Sequence, residues 1–66
     1  MRNEQVVDSW VAGKPAKAGN LSTDGVSLWS YALMIGDTML SGKKVVHDYS
    51  ISQTTTRHIN LARKSI

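Results

Sequence analysis

Apolar residues fall into three clusters along the chain, and each has its own spacing. Val6, Val7, Trp10 and Val11 stand at i, i+1, i+4 and i+5, one stripe of a helix. Asn3 is placed to cap that helix, Glu4 suits the positive end of its dipole, and Gly13 followed by Pro15 ends it. Residues 26–40 hold the densest cluster. Aromatic and β-branched enrichment over residues 26–35 predicts a strand, with Trp29, Tyr31, Leu33 and Ile35 on one face and Val26, Leu28, Ser30, Ala32 and Met34 on the other. Gly36 and Asp37 predict a bend or bulge. Residues 41–44, Ser-Gly-Lys-Lys, predict a hairpin turn between residues 38–40 and a second strand over 45–49. In that strand Val45, His47, Tyr49 and Ile51 alternate with Val46, Asp48 and Ser50.

The third cluster follows Ser52, a good N-cap, and predicts a helix over residues 53–64. Thr55, Ile59, Ala62 and Ile66 form its apolar face, widened by His58 and Leu61, while Arg57, Asn60 and Lys64 lie opposite. Residues 13–20 are small, basic or helix-breaking and read as a connecting loop. The expected architecture is one α+β domain over residues 1–66: an N-terminal helix, a small antiparallel sheet of about three strands, and a C-terminal helix.

A chain of 66 residues has room for a modest core only. It has no cysteine, which removes disulfides, thiolate metal sites and a cysteine nucleophile. His47 and His58 are the only imidazoles, without the partner spacing of a metal site. Carboxylates are scattered, and the glycines match neither phosphate-loop pattern. No enzyme, cofactor, metal or small-molecule substrate is expected. No apolar run approaches a membrane span and no signal peptide opens the chain, so no membrane partner is expected either.

Charge changes this picture more. Eight Lys and Arg against five Asp and Glu give a net +3. Residues 1–42 sum to −1 and residues 43–66 to +4, so the basic character is concentrated towards the C-terminus. Such asymmetry suits an anionic partner, although a solvated helix face has the same look. Arg57, Asn60, Arg63 and Lys64 form a surface able to meet phosphates, which makes a small nucleic-acid-binding protein one reading. Protein binding is the other, because Trp, Tyr and Arg dominate interface hot spots. Trp29 and Tyr31 are expected in the core. Trp10 either anchors a partner or fastens its helix to the sheet.

Two stretches carry a resemblance. Ser30-Tyr31-Ala32-Leu33-Met34-Ile35-Gly36 and Tyr49-Ser50-Ile51-Ser52-Gln53-Thr54-Thr55-Thr56-Arg57-His58 resemble a pattern of small bacteriophage proteins that specifies a strand, a hairpin strand and a capped helix. Met1-Arg2-Asn3-Glu4-Gln5-Val6-Val7-Asp8-Ser9-Trp10 is similar to the start of the small RNA-polymerase-binding transcription regulators of lytic Xanthomonas bacteriophages. The resemblance implies a protein of the host bacterial cytoplasm that binds host RNA polymerase near the β′ N-terminal region and the β flap. It implies inhibition of σ-dependent initiation and readthrough of terminators (antitermination). On that basis Arg2, Val6, Val7 and Trp10 are expected to contact polymerase. Lys43, Lys44, Arg57 and Lys64 are expected to steer association, with nascent RNA or DNA phosphates as further partners.

Overall fold

A computed structural model describes residues 2–47 and 52–66 of the chain. The order of elements is α1 (Asn3–Val11), β1 (Ala16–Ala18), β2 (Leu21–Thr23), β3 (Leu28–Ser30), β4 (Leu33–Thr38), β5 (Lys44–Val46) and α2 (Gln53–Ser65). The five strands form one antiparallel meander in chain order. Both helices pack on the sheet and on each other, α1 over β1 and β2 and α2 over β4 and β5. The α+β architecture with a helix at each end is as the hydrophobic pattern predicts, with five short strands in place of about three.

The helix ends obey local rules. Arg2 takes the N-cap of α1, and its backbone N–H donates to Gln5 Oε1 at 2.7 Å. Because Gln5 satisfies that end, Asn3 sits inside the first turn, where a cap was expected, and its amide is released for a distant partner. At the other end Gly13, at φ +76°, lets Lys14 N–H reach Ser9 O at 2.8 Å and Gly13 N–H reach Trp10 O at 3.1 Å. This pair of bonds is a Schellman ending. Ser52 caps α2 as predicted, accepting from Thr55 N–H at 3.1 Å.

The sheet departs from expectation in three places. Residues 13–20 contain β1, whose Ala16 and Ala18 pair with Thr23 and Leu21. Small residues suit this edge because α1 lies close over it. Residues 26–35 are not one strand. An unbroken ten-residue strand would run about 33 Å, longer than the 30 Å long axis of the molecule. The chain instead reverses at Tyr31-Ala32 into β3 and β4. The predicted face assignment fails with it: Leu28, Ser30 and Ile35 turn towards the helices and are buried, while Trp29, opposite Met34, is half-buried on the outer face. The second hairpin turn is also slightly earlier than predicted, with Lys44 already in β5. Tyr49 and Ile51, expected to extend that strand, lie outside the described residues.

The core consists of Val6, Val7 and Trp10 from α1, Ala18, Leu21, Leu28 and Ile35 from the sheet, and Ile59 and Ala62 from α2. Ile66, expected on the apolar face of α2, is 55 % exposed. Trp10 is fully buried and its indole lies against Gly36. A Cβ at residue 36 would stand 2.8 Å from Trp10 Cζ2 and 3.1 Å from the Leu28 Cβ. Gly36 adjoins the irregularity expected there, because the pairing passes from Leu28–Gly36 to Trp29–Met34 and skips Ile35. It lies within β4, and its missing side chain is the space the indole fills. Trp10 Nε1–H donates to Val26 O at 2.9 Å, and Lys44 Nζ stands 5.4 Å from the ring centroid.

A Gly36→Ala substitution tests this interlock with a clear sign. Alanine is normally the better strand residue by about 0.5–1 kcal/mol. Here overpacking against the indole should dominate and lower stability by about 1–3 kcal/mol, read as a reduced urea midpoint at unchanged slope.

Candidate functional site

Ser30 ends β3 and points under the helices, in the position the pleat would give an apolar residue. Its hydroxyl is fully buried, so it requires a partner. Two helical residues supply one. His58, 4 % exposed, places Nδ1 at 2.7 Å from Ser30 Oγ, and Thr55 places Oγ1 at 3.2 Å. Thr55 Oγ1 in turn accepts from Ser52 Oγ at 3.1 Å, which ties the network to the cap of α2. The other imidazole nitrogen, Nε2, lies 3.3 Å from Asn3 Nδ2 at the start of α1. One histidine thus joins α1, β3 and α2.

With Asn3 Nδ2 as the donor to Nε2, the neutral ring carries its proton on Nδ1, towards Ser30 Oγ. Burial among neutral groups holds the His58 pKa below its ordinary value of 6.5. Ser30 and His58 resemble the start of a hydrolytic pair on paper. Ser30 is fully buried, with its hydroxyl held between His58 and Thr55.

An open cavity of about 510 Å³ adjoins this network. One side is the β3–β4 turn, Ser30 to Leu33. The other is the first turn of α2 with Ser52, Thr54 and Thr55. Tyr31 dominates the rim, 55 % exposed where a core position was expected. Its φ is +58°, at the first central residue of a two-residue hairpin loop, a position that favours glycine. A bulky residue in that region costs about 1–3 kcal/mol unless its surroundings impose it. Here they do: Tyr31 N–H donates to Asn20 O of the neighbouring β1–β2 turn at 2.7 Å.

The residues expected to meet a partner do not form one surface. Val6, Val7 and Trp10 have no exposed area, so they cannot contact polymerase in this fold. Their stripe is the only apolar face α1 has, and the sheet takes it. Lys44 is only partly available, because its ammonium donates to Thr38 Oγ1 at 2.7 Å and Gly25 O at 3.1 Å. Lys43, exposed, lies at the β4–β5 turn and Arg2, also exposed, at the head of α1. Arg57 and Lys64 do share a surface. They lie two turns apart, roughly 10 Å, on the exposed side of α2 with Gln53 and Asn60. Arg63 is exposed beside them, and α2 contains no acidic residue.

Sequence reasoning did not assemble the Ser30–His58–Asn3 network. The available signal was two polar residues, Ser30 and His58, at positions the periodicities assign to buried faces. No family model, curated protein or solved structure matches the chain. Among the described residues no group of three or more His, Cys, Asp or Glu is arranged to hold a metal ion, and no helix is long and apolar enough to cross a membrane.

The histidine generates a pH prediction. With its folded-state pKa depressed, the unfolded chain takes up the proton first. The stability contributed by neutral His58 is present above about pH 6.5 and is lost as pH falls from the unfolded value to the lower folded one. Denaturant titrations at pH 8 and pH 5.5 should show lower stability at the acid value. His58→Asn should be less stable throughout, with this pH step removed.

Proposed function

We propose that the protein is a non-catalytic binding module that presents the outer side of α2 to an anionic partner surface. The observation that carries the reading is the placement of Arg57 and Lys64 on one exposed face of α2, a helix that contains no acidic residue. Close cations of this kind accelerate and orient association with an acidic surface. The resemblance to phage transcription regulators nominates bacterial RNA polymerase as that partner, with reduced σ-dependent initiation and terminator readthrough as the consequences. The resemblance is the sole support for that choice. Of the expected contacts the charged ones carry it, because the apolar residues of the N-terminal stretch belong to the core and Arg57 and Lys64 do not.

The same face supports a second reading, nucleic-acid binding, since Asn60 lies among the cations and Asn and Arg contact both phosphates and base edges. The two readings differ in salt dependence. Bare DNA or RNA engaged by about three cations should lose affinity with a log–log salt slope near −2 to −3.

The test is binding of labelled protein to purified core polymerase, nuclease-treated, at about 150 mM salt, where charges further apart than about 8 Å are screened. Saturable binding is expected, weakened about tenfold or more by the double substitution Arg57→Glu and Lys64→Glu, mainly through slower association. Unchanged affinity of that variant at low salt would remove the basic face from the mechanism. Binding seen only with intact nucleic acid would select the second reading.

A further inference from the structure

The cavity beside Tyr31 and the basic face of α2 are continuous. Thr54 lines the cavity, and Arg57 follows it by three residues, one helical turn further along the same side. Beyond Arg57 the exposed side continues through Asn60 to Lys64. A segment lying along α2 with its acidic groups against these cations would therefore arrive over the cavity at its end.

The chemistry of the lining identifies what enters. Ala32, Leu33 and the Tyr31 ring supply apolar surface. Three of the hydroxyls at the site are engaged internally, Ser30 with His58 and Thr55, and Ser52 with Thr55, which leaves those of Tyr31 and Thr54. These two are little hydrogen-bonding capacity with which to read the edge of a nucleobase, which needs matched donors and acceptors. A bulky apolar side chain needs none. The exposed Tyr31 ring at the rim, on a backbone held by the Asn20 hydrogen bond, suits edge or face packing against such a side chain.

We infer that the cavity beside Tyr31 seats an aromatic or bulky aliphatic side chain of an acidic protein segment whose carboxylates pair with Arg57 and Lys64. This rests on the reading of α2 as an anion-facing surface and adds the anchor that an electrostatic face lacks. The strained backbone of Tyr31 then has a use: glycine would serve the turn better, but only a side chain can form the rim.

That reasoning provides a discriminating variant. Tyr31→Gly removes the ring and relieves the positive φ, so it should fold at least as stably as the parent chain while losing binding. The probe is a short acetylated peptide with one tryptophan flanked by Asp and Glu on both sides, titrated into the full ¹⁵N-labelled protein. The same peptide with alanine for tryptophan and an oligo-dT strand serve as comparisons. Saturable shifts are expected at Tyr31, Ala32, Leu33 and Thr54, with affinity at least tenfold lower for Tyr31→Gly and for the alanine peptide. Arg57→Glu should weaken both peptides.

If Arg57→Glu weakens binding while Tyr31→Gly and the alanine peptide match their parents, the anchor is wrong and the basic face stands. If none of the three changes matters, or no peptide binds, both fail. Shifts at the same residues with oligo-dT alone would overturn the assignment of a protein segment as occupant. Loss of stability in Tyr31→Gly would place the ring in a structural role and overturn the inference.

Discussion

Everything in this small fold depends on an indole filling the place of a missing side chain. Trp10 lies against Gly36 because no Cβ intervenes, and in doing so it fixes the height of α1 above the sheet. Its N–H holds the carbonyl of Val26, and Lys44 crosses above its ring to bond Gly25 O and Thr38 Oγ1. One side chain thereby joins α1, the β2–β3 connection and the β4–β5 hairpin. Full burial of a Val or Leu is worth about 1.5–3 kcal/mol, and α1 buries only two valines beside the tryptophan.

A second, polar junction does at the other end of the sheet what Trp10 does at the first. His58 links Asn3, Ser30 and Thr55 while buried and neutral, and no buried side-chain nitrogen or oxygen among the described residues lacks a partner. A satisfied network of this kind is directional where apolar packing is not, so it sets the rotation of α2 about its own axis. That rotation decides which residues of α2 remain outside. Turning His58 and Thr55 inwards leaves Arg57, Asn60 and Lys64 outwards and brings Thr54 to the cavity beside Tyr31. The buried junction and the exposed face are two consequences of one orientation.

Much of this was legible in local chemistry. The Val6–Trp10 stripe, the Gly13 ending, the Ser52 cap and the extent of α2 depend on neighbours within a turn, and the hydrophobic period carries that information directly. The concentration of positive charge towards the C-terminus is likewise a property of the chain, as is the placing of Thr55, Ile59 and Ala62 on one helix face.

What the chain alone did not reveal are the features that need two distant residues to meet. β1 is a strand because Leu21–Thr23 folds back upon three residues of weak strand propensity under α1. Tyr31 reverses the chain because Asn20, eleven positions earlier, holds its N–H. Gly36 reads as a breaker until Trp10 is placed over it, and Val6 and Val7 read equally as core or as interface until the sheet covers them. Periodicity states which residues share a face, and the sequence by itself determined those faces. Which faces would be covered, and so which residues were left to meet a partner, only the tertiary structure decided, because burial is a property of contacts between segments and not of either segment alone.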